Sequence, residues 1–294
     1  MNTMFKKKQE HNDGASSTPE TAQTLNREDE DRMLRENLSR IKNKILVLSG
    51  KGGVGKSTVA VNIAASMAEK GLKVGLLDVD IHGPSIPKLV GLEGSRLMAS
   101  VSGMLLPLET ANGLKVMSIG FLLETSDTAI IWRGPLKYGV IKQFLKDVAW
   151  GDLDLLVIDS PPGTGDEPLS VCQLIDNPTG AVIVTTPQEV SIADVRKSIQ
   201  FCRQLNMPVL GVIENMSGFI CPHCGKETNI FKNGGGERMA REMDVPFLGR
   251  IPLEPAITEN GDAGRPLTDP TAQASPGRKA FNEIIEKILK GVTL

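Results

Sequence analysis

Aromatic side chains are scarce in this chain of 294 residues, at 4%. A core with so few rings is aliphatic, which suits a parallel sheet covered by helices on both faces. Cysteine is scarcer still, and four in the whole chain are too few for a disulfide scaffold. Neither sign of charge dominates: 33 Lys and Arg stand against 35 Asp and Glu, for a formal net charge of −2. No polybasic surface therefore argues for a nucleic-acid partner. No apolar run approaches the roughly 20 residues that span a bilayer. The Lys6-Lys7-Lys8 cluster has no apolar stretch behind it, as a secretory signal would need. These absences predict a cytoplasmic protein with no membrane or nucleic-acid partner. In such a place a close pair of cysteines points to metal or redox chemistry.

What is present reads as one large α/β unit. Residues 1 to about 27 are polar and are expected to form a flexible tail. From Glu28 to Ile41 the charge is high, but Leu34, Leu38 and Ile41 fall at helical spacing. That stretch is either a short helix on the domain edge or a solvated charge run, so residues 1–40 are set apart from an ordered domain over 41–294. Ile45 to Leu48, Lys73 to Asp78, Leu153 to Asp159, Gly180 to Thr185 and Pro208 to Ile213 read as buried strands. Met104 to Leu106 is an edge strand at best because Pro107 follows, and Asn112-Gly113 reads as a hairpin turn into Leu114 to Ile119. Helices are expected over Ser57 to Lys70, around Tyr138 to Val148, around Ile192 to Cys202, and around Phe281 to Leu289. The alternation implies right-handed βαβ units and a mostly parallel sheet flanked by helices, with ligands at the carboxyl ends of the strands.

Gly50-Lys51-Gly52-Gly53-Val54-Gly55-Lys56-Ser57 matches G-x-x-x-x-G-K-[ST] between a strand and a helix. Its backbone N–H groups and the helix N-terminus suit a phosphate. Lys56 is placed to reach the β- and γ-phosphates, and Ser57 to coordinate Mg²⁺. Asp159 ends an aliphatic strand, where a carboxylate holds the metal's water shell. Asp78 and Asp80 sit at the mouth of the same site, and Asp80 is the better candidate to orient an attacking water or reach Mg²⁺. The N-K-x-D signature of guanine readers is missing: the Asn43-Lys44 pair precedes the loop and lacks the Asp. ATP is therefore expected.

Cys221-Pro222-His223-Cys224-Gly225 offers two thiolates three residues apart, a knuckle spacing for zinc or an iron–sulfur cluster. A closed site takes about four ligands. Cys172 and Cys202 lie in expected helices without knuckle spacing and read as core residues. One chain thus supplies half a site, and a twofold homodimer would supply the whole. A structural zinc site across such a dimer is the rival reading.

In order along the chain, these motifs resemble those of the Mrp/ApbC family of P-loop ATPases, a MinD-like (SIMIBI) branch. The resemblance rests on Ser49 to Thr58, on Asp78-Val79-Asp80-Ile81-His82-Gly83-Pro84-Ser85 and on Asp159-Ser160-Pro161-Pro162-Gly163-Thr164-Gly165-Asp166. It continues through Glu214-Asn215-Met216-Ser217, the cysteine knuckle and Ile251-Pro252-Leu253-Glu254-Pro255. It implies that Lys51 is the extra lysine of a deviant Walker A loop, which reaches a partner's nucleotide in an ATP-sandwich homodimer. It implies nucleotide contacts from Gly50 through Thr58, a base-reading role for Asn215, switch loops around Asp80 and over Pro161 to Asp166, and catalytic roles for Lys51, Lys56, Asp80 and Asp159. It implies a [4Fe–4S] cluster on Cys221 and Cys224 of two subunits, passed to apo-iron–sulfur proteins with slow ATP hydrolysis. Ser160 departs from the Leu or Thr of many relatives, and no cysteine precedes Cys172, so the N-terminal four-cysteine motif of one eukaryotic branch is missing.

Two other classes compete. A MinD- or ParA-type positioning ATPase would need a basic amphipathic tail or a basic DNA-binding face. The closing helix instead balances Glu283 and Glu286 against Lys287 and Lys290, and that class leaves the cysteines unexplained. An ATPase chaperone for another metal differs only in ligand count and metal identity.

Overall fold

The computed structural model describes residues 19–81, 83–122, 134–221, 223–268 and 275–292. The first helix, α1 (Pro19–Ser39), begins well before Glu28, so part of the stretch expected as tail is helical; residues 1–18 lie outside the described residues. Leu34, Leu38 and the following Ile41 are buried, which settles that stretch as a packed helix. Asn37 fixes it in place: its Nδ2 donates to the carbonyls of Leu145 (2.8 Å), Lys146 (3.2 Å) and Val148 (2.9 Å). The first two carbonyls end α4 (Gly134–Lys146), where the helix itself offers no donor, and the third lies just beyond it.

The central strand β1 (Ile41–Ser49) starts four residues earlier than its aliphatic run suggests. It accommodates Lys44 because that ammonium donates to the carbonyls of Leu38 (3.4 Å) and Ile41 (3.2 Å). Along the chain follow α2 (Lys56–Glu69), β2 (Val74–Asp78), α3 (Ile86–Leu89), β3 (Met98–Ala99), β4 (Leu105–Leu106), β5 (Leu108–Glu109) and β6 (Lys115–Ser118). After α4 come β7 (Leu153–Asp159), α5 (Asp166–Leu174), β8 (Gly180–Thr185), α6 (Glu189–Gln204) and β9 (Val209–Glu214). The chain closes with β10 (Phe219–Ile220), β11 (Glu227–Thr228), α7 (Gly235–Glu242), β12 (Phe247–Arg250), α8 (Pro255–Asp262) and α9 (Pro276–Leu289).

Eight of these strands form one sheet in the order β12-β9-β8-β1-β7-β2-β6-β5. Every neighbouring pair is parallel except β5 with β6, which makes the expected hairpin through Asn112-Gly113. Pro107 separates β4 from β5, and β4 leaves the main sheet to pair with β3. This fits a residue that cannot donate to a ladder. β12, an edge strand with no long apolar run, escapes the periodicity reading. The sheet is covered on both faces: α1, α4, α5, α6 and α7 pack on one apolar layer, and α2, α3 and α9 on the other. Trp150, Phe144 and Phe281 are fully buried, but aliphatics fill most of both layers, as the low aromatic content predicts.

This strand order decides where chemistry can occur. β1 leads away to β2 on one side, while β8 and β9 build the other, so the chain's direction of winding reverses beside β1. The carboxyl ends of β1, β7, β2 and β9 lie along the same edge of the sheet and deliver the phosphate loop, Asp159, Asp78 and Glu214 there.

Candidate nucleotide site and cysteine hairpin

The glycine-rich turn leaves β1 and enters α2 at Lys56. Gly50 must lack a side chain because a Cβ would stand 2.5 Å from the backbone carbon of Asp194 on α6. Gly55 occupies the helix N-cap with φ 82°, a left-handed conformation. A Cβ there would also meet the Asn215 amide nitrogen at 2.2 Å. The turn thereby aims the orphan N–H groups at the start of α2 toward the carboxyl edge of the sheet, an arrangement suited to phosphate oxygens.

Lys56 is buried and sits among carboxylates. Its Nζ lies 2.6 Å from Asp159 Oδ1, 3.6 Å from Asp80 Oδ2 and 3.4 Å from Ser57 Oγ. The loop lysine, the strand-end aspartate and the neighbouring carboxylate that the sequence singles out therefore meet at one point. Asp159 is fully buried, and its other oxygen, Oδ2, has no hydrogen-bond partner among the described residues. Burial raises its proton affinity, opposed by Lys56 and Ser57. An orphaned carboxylate oxygen beside a serine hydroxyl is a hard-oxygen donor set that fits Mg²⁺ with its waters.

The two aspartates after β2 diverge. Asp78 turns inward, is fully buried, and accepts from Ser118 Oγ (2.8 Å) and the Asp80 N–H (3.1 Å). Burial, reinforced by the charge of Asp159, pushes its pKa up to about 8. Asp80 remains near Lys56 and partly open. His82, within the same stretch, lies outside the described residues. Ser118 is a site residue that the sequence does not reveal, since one serine closing a short apolar strand carries no signal.

Asn215 follows β9 directly. Its Nδ2 donates to the Val54 carbonyl at 2.8 Å, so its amide braces the phosphate loop. Behind the loop a cleft of about 200 Å³ is bounded by Gly55, Thr58, Asn215, Pro252, Leu253 and Ile257. The Ile251 to Pro255 motif supplies part of this wall, a placement that its sequence alone does not disclose. The cleft suits a flat ring with polar edges. Lys51 is directed elsewhere, into an open groove of about 460 Å³ beside Glu189, Val190, Ile230 and Phe231. Val190 and Ile230 are among the most exposed large apolar residues described. In the Asp159 to Asp166 stretch, Ser160 is buried, its N–H donating to the Val47 carbonyl at 3.2 Å and its hydroxyl without a partner among the described residues.

The cysteine pair lies at the tip of the β10–β11 hairpin, whose register pairs Phe219 with Thr228 and Ile220 with Glu227. The Gly225 N–H donates to the Cys221 carbonyl at 2.9 Å and closes the turn. The N–H groups of Cys224 and His223 point at the Cys221 sulfur and, with the Cys224 thiol, hold the Cys221 thiol below its ordinary range. Cys224 is exposed and Cys221 half-buried. Burial instead pushes Cys172 and Cys202 up to about 12, the behaviour of inert core thiols. His223 is exposed, and Pro222 lies outside the described residues. Among the described residues no group of three or more His, Cys, Asp or Glu is placed to hold a metal ion. The hairpin thus offers two soft ligands and no third.

Residues 40–289 match the ParA family described as NUBPL iron-transfer P-loop NTPase. The chain belongs to that family. The iron-sulfur cluster carrier protein of Methanocaldococcus jannaschii is 52% identical over 277 residues, covering 94% of this chain and 93% of the relative. The cytosolic Fe-S cluster assembly factor NUBP2 homolog of Nematostella vectensis is 50% identical over 257 residues, with 86% and 94% covered. Among solved structures, a nucleotide-binding protein from Archaeoglobus fulgidus in complex with ADP superposes with a TM-score of 0.72 at 43% identity, over 84% of this chain and 98% of that one. The cell division ATPase MinD of Pyrococcus furiosus superposes at 0.64 with 25% identity, over 85% and 99%. The chain is a P-loop NTPase of this family, with the MinD-like fold that its motifs imply. No helix among the described residues is long and apolar enough to cross a membrane.

Proposed function

We propose that the chain is an ATP-dependent iron–sulfur cluster carrier. It binds a [4Fe–4S] cluster between two copies of itself, through Cys221 and Cys224 of each, and passes it to apo-iron–sulfur proteins in the cytoplasm. The observation that carries this reading is one exposed two-thiol turn on the sheet edge that bears the phosphate loop, with no further metal ligand beside it among the described residues. One relative named as a cluster carrier and another named as a cluster assembly factor support it. A second copy related by a twofold axis completes a four-thiolate set, the usual complement of a [4Fe–4S] cluster.

The nucleotide chemistry follows from charge. Lys56 is neutralised by Asp159 and Asp80, and the β- and γ-phosphates of ATP are stronger, more mobile acceptors for the same ammonium. Ser57 and Asp159 would hold Mg²⁺, which when bound neutralises charge on the phosphate oxygens. Asp80, released from Lys56, is placed to orient the water whose oxygen attacks the γ-phosphorus as the bond to the ADP oxygen breaks. Gly50 through Thr58 cradle the phosphates, and Asn215 with the Pro252–Ile257 wall receives the adenine. Lys51, in its groove with exposed Val190 and Ile230, reaches the partner's nucleotide across a homodimer face. The closing helix, with Glu283 and Glu286 against Lys287 and Lys290, gives a positioning ATPase no support.

The deciding measurement is iron and acid-labile sulfide per dimer after anaerobic reconstitution, in the wild type and in Cys221→Ala/Cys224→Ala. About four of each per dimer, lost in the variant, is the expected outcome. Zinc alone, or iron retained by the variant, would give the hairpin to a structural site or another metal.

A further inference from the structure

Glu214, the last residue of β9, is a carboxylate with no accessible surface that the nucleotide chemistry does not use. Its Oε1 accepts from Ser217 Oγ (2.5 Å) and the Gly234 N–H (2.8 Å), and Oε2 accepts from the Gly236 N–H. Arg250, its register partner on β12, places Nε 3.6 Å from Oε1. These donors occupy distinctive places in the chain. Ser217 begins the excursion that carries the cysteine hairpin, and Gly234 to Gly236 end it at the start of α7. One carboxylate therefore clamps both ends of the segment that bears Cys221 and Cys224. Between the clamped ends, His223 to Ile230 are exposed and have no core to hold them.

The next residue faces the other way. Asn215 grips the Val54 carbonyl of the phosphate loop and packs on Gly55. A second seam runs alongside: the Ser217 N–H donates to the Ile251 carbonyl (2.9 Å), the Leu253 N–H to the Gly218 carbonyl (2.8 Å), and Phe219 bridges to Leu253. Leu253 also lines the cleft behind the loop. A nucleotide that shifts the loop or fills the cleft moves Asn215 and Leu253, and both are tied within a few residues to the base of the hairpin. Packed networks with discrete arrangements carry coupling of this kind.

We propose that Glu214 is a positioning residue that transmits nucleotide occupancy to the cysteine pair. The proposal deepens the carrier reading and rests on it for its biological purpose, but its test needs no cluster. In reduced, cluster-free full-length protein, site-resolved alkylation rates of Cys221 and Cys224 by iodoacetamide are measured without nucleotide, with Mg-ADP and with a non-hydrolysable Mg-ATP analogue. Wild type is expected to change rate by about fivefold or more between these conditions, the lower end of ordinary coupling between sites. Glu214→Gln keeps one acceptor oxygen and turns an amide donor against either the Gly234 or the Gly236 N–H group, so one end of the clamp is lost. It should lose that response while binding the nucleotides with unchanged affinity. Ser217→Ala removes a single donor and should weaken the response partway, which keeps the test open if the glutamine variant folds poorly. A response of wild-type size in both variants overturns the proposal. So does its absence from the wild type. The carrier reading fails on iron and sulfide content instead, which these rates do not measure.

Discussion

At the residue scale, the buried aspartate pair at the ends of β2 and β7 makes an unusual demand on the fold. Asp78 and Asp159 are register partners on adjacent strands, and both are fully buried. Lys56 offsets the charge of Asp159, whereas burial and that charge keep Asp78 protonated up to about pH 8. The sign of the consequence follows. A carboxyl that binds its proton more tightly when folded costs stability as pH rises from its unfolded pKa, about 4, toward 8. Asp78→Asn mimics the protonated form, since its oxygen accepts from the Asp80 N–H and its amide donates to Ser118 Oγ. The variant should be more stable than wild type at pH 8 and closely matched at pH 4.5. Urea midpoints at the two pH values check this, and equal differences at both would refute it.

The same scale shows what could be read without coordinates. Lys56, Asp159 and Asp80 meet as their motifs imply because strand order, once parallel and wound about β1, leaves those positions nowhere else to go. Glu214 and Ser118 were not legible as working residues. Ser118 meets the Asp78 carboxylate of a neighbouring strand, and Glu214 meets the backbone N–H groups of Gly234 and Gly236 at the start of α7; nothing in a linear spacing encodes such meetings.

Elements with long aliphatic runs were legible, to within a residue or two at most ends. Those that succeed through one polar contact were not. Helix α1 is mostly charged, and a solvated run was as good a reading until Asn37 was seen to cap the end of α4. Asn37→Ala would leave carbonyls of Leu145, Lys146 and Val148 without that donor. It should cost about 1–3 kcal/mol, the range for stranding buried polar groups. The loss should appear as a lower denaturation midpoint and faster hydrogen exchange across α1, with nucleotide affinity unchanged. Edge strand β12 and hairpin β10–β11 are short and lack an apolar period; the first shows only through its pairing with β9, the second only through the pairing of its own two strands.

At the scale of the whole molecule, the proposed homodimer would complete both the Lys51 groove and the cysteine hairpin with a second copy. One interface would then join them, and a change in one should register in the other. Lys51→Ala is expected to abolish ATP-dependent dimerisation in sedimentation velocity runs and, through it, the capacity to assemble a four-iron cluster, although both cysteines remain. Cluster assembly at wild-type yield by a Lys51→Ala monomer would separate the two halves of this picture.

The central position of β1 has a consequence for how the chain is made. Its neighbours in the sheet are β7 and β8, with Ile41 paired to Leu153 and Ile45 to Gly180. On the ribosome, the strand that carries the phosphate loop therefore emerges with both edges bare. It stays so until more than a hundred further residues have been added, roughly 5–20 s at ordinary elongation rates. Throughout that interval a strand with an unbroken aliphatic run, Ile45 to Leu48, is open to stray pairing. The nascent chain should depend on holding chaperones until β7 emerges, and no nucleotide can help it earlier, because the carboxylate that answers Lys56 ends that same strand.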